Sequence, residues 1–210
     1  LLLQMMNKDV PYQLFYADPK GSSLAVIGYI VAPERTAVEV ADIIKLLEKF
    51  VSLMRNRKEE LREKLKEKID ADYSDFQMPP YVFCFDEFAG FSSKIATLEK
   101  KMRDSIKDML YEVILQGRQL GFFLFLIMQK SDASLIDTAL RDNIPLKIVL
   151  GNSEQQTYVT AFGSGVDIPK RHYFVGEGVF TEPELAPQPK LVQFAQLDFD
   201  ILACARTRVM

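Results

Sequence analysis

The sequence has little cysteine, one histidine, no long apolar run and no excess of positive charge, and each shortage removes a class of protein. Two cysteines, Cys84 inside an apolar run and Cys204 near the end, are too few for a disulfide framework or a zinc cage. A reducing compartment, the cytosol, is the expectation. No stretch reaches the roughly 18 to 20 apolar residues of a membrane span, and no basic segment with a cleavage site precedes the opening leucines. These residues are therefore expected to be soluble. A net charge of −3 provides no global positive field, so any contact with nucleic acid has to be local. His172 reads as a strand-edge residue rather than a catalyst.

What is present suits one packed globule: 210 residues, 48% of them hydrophobic and 26% charged. Four short, nearly continuous apolar runs stand out: Tyr12 to Ala17, Tyr81 to Phe85, Phe122 to Met128 and Leu146 to Leu150. Runs without polar alternation are the signature of strands buried on both faces, so all four are predicted to be neighbouring parallel strands of one sheet. Helical periodicity lies between them. Val40, Ile44, Leu47, Val51 and Met54 repeat at three and four residues, as do Ile95, Leu98, Met102, Ile106, Met109 and Val113. The second of these helices is expected to stop near Gly117 or Gly121. A third fits Ser131 to Arg141, and a fourth begins near Ser153, with Gln156 completing a capping box. The charged stretch Arg55 to Asp72 reads as a solvated helical extension, with a DNA-facing role as the alternative. After Pro169 come late edge strands, His172 to Phe180 and Lys190 to Ala195, joined by a Pro-rich link.

The chemistry concentrates in Tyr81-Val82-Phe83-Cys84-Phe85-Asp86-Glu87. Five apolar residues run into the core and two carboxylates follow at the carboxyl end, where open α/β sheets bind ligands. Adjacent acids there divide the work of phosphate hydrolysis: the first holds Mg²⁺, the second polarises the attacking water. This is a Walker B pattern, although a plain strand ending at a polar turn gives the same letters. Phe122 to Met128 ends in Gln129, whose amide can hydrogen-bond a terminal phosphate or its attacking water without adding charge. Asp18 and Lys20 close the first strand, near the place a nucleotide would lie, and an Asp-Pro turn explains them equally well. Cys84 is better read as core than as nucleophile, because apolar burial raises a thiol's pKa.

The order of these pieces resembles the motor domain of the FtsK/SpoIIIE family. The matching segments are Ala17-Asp18-Pro19-Lys20-Gly21-Ser22, Asp86-Glu87-Phe88-Ala89, Gly117-Arg118-Gln119-Leu120-Gly121, Met128-Gln129 and Asn143-Ile144-Pro145, with Gly176-Glu177-Gly178 as a late turn. The resemblance runs from about residue 1 to 181. Three departures accompany it. Gly-x-x-x-x-Gly-Lys-Ser/Thr, the family's Walker A loop, does not occur in the sequence, and its expected place is just before Leu1. Lys130-Ser131 follow Gln129 where segregation members have Arg-Pro, and the charged helix over residues 55–68 is longer than usual. These departures fit a conjugation or mobile-element branch.

The resemblance implies an α/β fold with a RecA-like P-loop NTPase core, a mostly parallel sheet flanked by helices, and late edge strands. It implies residues 1–181 as a partial motor domain and 182–210 as an edge strand and tail. ATP and Mg²⁺ are the implied cofactors, with Asp86 on the metal, Glu87 as catalytic base, and Gln129 and Asp18 on the nucleotide. Arg118 is the implied arginine acting across a subunit interface, beside Arg141, while a helix C-terminal position accounts for Arg118 as well. The implied partners are double-stranded DNA and further copies in a hexameric ring, on the cytoplasmic side of a bacterial membrane with its anchor outside these residues. A type VII secretion ATPase moving protein and a catalytically inactive interaction module are the alternatives.

Overall fold

The computed structural model describes residues 5, 9–129 and 138–207, which form two compact units. The first spans the chain up to Gln129 and takes in residues from Asp200 onward; the second spans residues 130–199.

The first unit is built on β1 (Gln13–Ala17), β2 (Thr36–Ala37), β3 (Tyr81–Phe85) and β4 (Phe122–Leu126), in the order β2-β1-β3-β4 and all parallel. Parallel neighbours need crossover connections. Helix α1 (Ser23–Val31) and a 3₁₀ turn (Pro33–Arg35) link β1 to β2. Helix α2 (Val40–Lys64) leads towards β3, and α3 (Phe88–Ile95) with α4 (Lys100–Leu120) carries the chain on to β4. The sheet is covered on both sides. On one side Phe50 of α2 sits 5.1 to 5.3 Å, ring to ring, from Phe15, Phe83 and Phe122. On the other, Leu14, Tyr16 and Val82 pack with Ala32, Leu24 and Val31. Residues from Val82 to Phe85 are fully buried, which is why β3 carries no polar alternation.

The helices follow the periodicity with two adjustments. Leu47, Val51 and Met54 are buried as expected, but Ile43 rather than Ile44 joins them. The single helix expected across Ile95 and Val113 is two helices, α3 ending at Ala96 and α4 capped at Glu99. Thr97 marks the break, its hydroxyl donating back to the Lys94 carbonyl at 2.8 Å. Helix α4 ends at Gly121, at φ 75°, where a Cβ would lie 2.6 Å from the Tyr73 ring. At Gly117 a Cβ would meet the Phe122 carbonyl oxygen at 2.1 Å, so the chain can fold back from α4 into β4 only over a residue without a side chain.

The charged extension of α2 is not all solvated. Arg57 is buried: its guanidinium donates to the carbonyls of Leu120 and Pro79, both at 3.3 Å, and lies over the rings of Tyr81 and Phe122. Arg55 pairs with both carboxylate oxygens of Glu112 on α4, at 3.0 and 2.6 Å.

The second unit contains α5 (Thr138–Asp142), β5 (Lys147–Leu150), α6 (Gln155–Phe162), β6 (Glu177–Glu182) and β7 (Ala186–Gln193). The strands form an antiparallel sheet, β5-β6-β7, with Val149, Tyr158, Tyr173 and Val179 as its core. Here the expectation of a fourth parallel strand is corrected: β5 pairs antiparallel with β6, Ile148 opposite Phe180. Only Val149 of that strand is buried, so the apolar run was a half-covered edge strand rather than one enclosed on both faces. The Pro-rich segment also differs, since Pro187 and Pro189 lie within β7. That strand is at the sheet's edge, where a missing N–H costs no ladder bond. The division expected at residue 181 does not coincide with these units, because β7 pairs with β6 across it and α7 (Ile201–Arg206) lies in the first. Helix α6 starts behind Glu154, not Ser153, and without a side-chain cap. Of the helix expected over Ser131 to Arg141, Thr138 onward is helical; Ser131, Lys130 and the opening leucines lie outside the described residues.

Candidate functional site

The carboxyl ends of β1, β3 and β4 are brought level by their register, Ala17 beside Phe85 beside Leu126. Backbone hydrogen bonds continue past the strands and tie the tips together. Asp86 donates its N–H to the Ala17 carbonyl at 2.9 Å, Ile127 to Phe85 at 2.8 Å, and Phe88 to Ile127 at 2.9 Å. The two acids are therefore held between the first and last strand tips before any side chain is considered.

Asp18 is buried and builds the first tip. Its Oδ1 accepts from the Lys20 N–H at 3.0 Å; its Oδ2 accepts from the Ser22 N–H and hydroxyl, both at 2.7 Å, and from the Ala25 N–H at 3.2 Å. Burial pushes this carboxyl up, but the hydrogen bonds from Ser22, Ala25 and Lys20 outweigh it and hold the group below its ordinary value. Both oxygens are engaged within the turn, so Asp18 acts on the site through the loop it fixes.

At the second tip Glu87 donates its N–H to Asp86 Oδ1 at 3.0 Å and takes up φ 48°, ψ 47°. This left-handed conformation is uncommon for a residue with a side chain and recurs at functional sites. It starts α3, and it carries the Glu87 carboxylate to Lys20, whose Nζ lies 2.8 Å from Oε2. The acids, Lys20 and the Asp18 turn thus share one edge. Gln129, exposed, follows the carboxyl end of β4 by three residues.

The remaining candidates lie elsewhere. Arg118 is in the last turn of α4, at the amino end of β4, and lines a cavity with Lys58, Asp72, Gln116 and Gln119. It belongs to the opposite end of the sheet from Asp86 and Glu87. Arg141 lies in the second unit, where it bonds Asp142 and the Thr160 carbonyl. His172 is exposed beside the Phe174 ring. The Cys84 thiol is pushed up to about 12 by burial and by the Asp86 charge, as a core cysteine should be.

Among the described residues no group of three or more His, Cys, Asp or Glu side chains could cage a metal. Mg²⁺ asks for less, since one or two carboxylates suffice when water and phosphates complete its shell. A partly buried Asp86 at a strand tip meets that requirement. Missed from the sequence were the Lys20 to Glu87 ion pair and the strained backbone of Glu87. The only signals for them were a lysine after Asp-Pro and a glutamate directly preceding a helix.

A parallel sheet with helices on both sides and paired acids at the carboxyl end of an inner strand defines the class: an α/β fold whose ligand edge carries two carboxylates. Comparison then narrows it. No family model matches the chain. The FtsK domain-containing protein YdcQ of Bacillus subtilis (strain 168) is 27% identical over 146 residues, 70% of this chain. The chain spans only 30% of that relative's length. Among solved structures, the pCW3 conjugation coupling protein TcpA, in its monomer form with ATPγS, superposes at TM-score 0.65 with 18% identity, over 87% of this chain and 51% of its own. EssC (ATPases 2 and 3) from Geobacillus thermodenitrificans superposes at 0.62 with 18% identity, covering 94% and 36%. The cytoplasmic domain of the Thermomonospora curvata type VII secretion ATPase EccC does so at 0.59 with 15% identity, covering 94% and 24%. The resemblance seen in the motifs recurs in these comparisons: the chain is similar in sequence to an FtsK domain-containing protein and in fold to conjugation coupling and type VII secretion ATPases. No described helix is long and apolar enough to cross a membrane.

Proposed function

We propose that this chain supplies the acidic half of an ATP-driven motor that moves double-stranded DNA through a hexameric ring of identical subunits. The ring works at the cytoplasmic side of the membrane, with its anchor outside these residues. The observation that carries the reading is the placement of Asp86 and Glu87, side by side at the tip of an inner parallel strand, between the Asp18 turn and the end of β4 at Ile127.

In this reading Asp86 would hold Mg²⁺, which would supply positive charge against the nucleotide's phosphates. Glu87 accepts the proton of the attacking water as its oxygen bonds the terminal phosphorus and the bond to the ADP oxygen breaks. Gln129 orients that water or the terminal phosphate through its amide. Asp18 fixes the loop on the nucleotide side. Arg118, at the far end of the sheet, serves the site of an adjoining subunit, where its guanidinium meets the charge of the transferring phosphate. DNA is gripped by its phosphates without reading of sequence.

Transport of protein is the second reading. The observation favouring it is the likeness to EssC and EccC, the latter also solved in complex with a signal sequence peptide at TM-score 0.54. ATPase rates of the intact protein with and without double-stranded DNA separate the two. Stimulation by DNA is the expected result; stimulation by a secreted peptide alone establishes the second, and no hydrolysis under either leaves an interaction module.

A further inference from the structure

One contact at the carboxyl edge is not used by the chemistry just proposed. Lys20 Nζ lies 2.8 Å from Glu87 Oε2, the lysine side chain 53% exposed and the glutamate 15%. Neither partner is loosely placed. The Lys20 backbone is fixed because Asp18 accepts its N–H, and Asp18 is in turn anchored by Ser22 and Ala25. Glu87 is fixed by its own N–H on Asp86 and by its carbonyl, which accepts from Gly90 at 2.9 Å. Its positive φ persists only where the surroundings hold it. The ion pair closes between turns on neighbouring strands, β1 and β3.

An ammonium on Oε2 takes up lone pairs with which the carboxylate would accept a water proton, and it offsets the charge that would polarise that water. The same lysine has a flexible stem and a compact charge suited to a phosphate. Ion pairs at this exposure are weak, so an anion of several charges competes for the lysine. We propose that Lys20 is a positioning residue that latches Glu87 in the nucleotide-free state, and that the terminal phosphate of the nucleotide draws it off and frees the carboxylate. The latch rests on the reading of Glu87 as the base.

Two measurements test it. Without nucleotide, competitive acetylation read by mass spectrometry should label Lys20 about two- to fivefold faster in Glu87→Gln than in the wild type, the range an ion pair of this exposure supplies. Equal labelling overturns the latch. In the intact protein with Mg²⁺, Glu87→Gln should tighten ATPγS binding about two- to fivefold by leaving Lys20 to the phosphate, and the same substitution made on Lys20→Met should lose that gain. A gain of equal size with and without Lys20, at unchanged melting temperatures, overturns it too; Lys20→Gln repeats the test should the methionine variant melt early. ATPase rates separate the two failures. Turnover that survives Glu87→Gln removes the base and the latch together, whereas turnover lost there with an affinity gain independent of Lys20 removes the latch alone.

Discussion

At the scale of single residues, Asp86 and Glu87 are chemically alike and differ in what holds them. Glu87→Gln keeps shape and hydrogen bonding but removes the carboxylate that polarises water. Turnover in the intact protein should fall about a hundredfold to ten-thousandfold, with nucleotide binding preserved. Asp86→Ala removes charge from the metal's shell and should weaken Mg²⁺-dependent nucleotide binding as well. ATPase rates and fluorescent-nucleotide titrations on the two variants check this, and near-normal turnover in Glu87→Gln would remove the assignment. Asp18 makes a different prediction because its carboxylate is committed to the turn. Its folded pKa is lowered, so its stabilisation is complete above the unfolded value near 3.9 and is lost as pH falls through the folded value. Asp18→Asn should therefore cost about 1 to 3 kcal/mol at neutral pH, and the gap between variant and wild type should close below about pH 4. Melting temperatures of both proteins across that range are the check; a gap that stays constant into acid would show that the charge contributes nothing.

At the scale of elements, what the sequence announced was what burial dictates. Strands β1, β3 and β4 were legible because full enclosure leaves no polar alternation, and their parallel direction followed from helix-length separations. Strand β2 was not legible, since two residues, Thr36 and Ala37, carry no pattern at all. Strand β5 has the same kind of letters as β3, yet a partner on one face only; a short, mostly apolar run cannot tell those cases apart. Prolines were read as a link because nothing local reveals that β7 is an edge. The glycines at the α4 to β4 return were legible as a helix end, but not as a close approach. Gly117→Ala would drive a Cβ onto the Phe122 carbonyl, and backbone cannot step aside as a side chain does. It should lower the urea midpoint more than Gly121→Ala, whose Cβ meets the Tyr73 ring and whose φ of 75° costs roughly 1 to 2 kcal/mol. A Gly117→Ala midpoint equal to wild type would contradict the packing described.

At the scale of the whole molecule, the legible part of the site was the part that is contiguous in sequence. Two acids after five apolar residues declare a strand tip, whereas the Lys20 contact exists only because β1 lies beside β3, a fact of topology. Arg118 shows the same limit: its sequence neighbours mark a strand entry, and the fold puts that entry at the end of the sheet away from the acids. The edge assembled here supplies carboxylates, an amide and one lysine already paired with Glu87. Phosphate binding of the P-loop kind draws instead on a row of backbone N–H groups and an unpaired lysine in a Gly-rich loop. No Gly-x-x-x-x-Gly-Lys sequence occurs between Leu1 and Met210. Carboxylates facing a triphosphate without that loop repel it, and Mg²⁺ on one acid offsets only part of the repulsion. These 210 residues by themselves should therefore bind ATP weakly or not at all. Calorimetry on this chain with Mg²⁺ present checks it: the expected trace is flat at micromolar nucleotide, and a micromolar affinity would mean that the edge of β1, β3 and β4 holds phosphate by groups other than those of a P-loop.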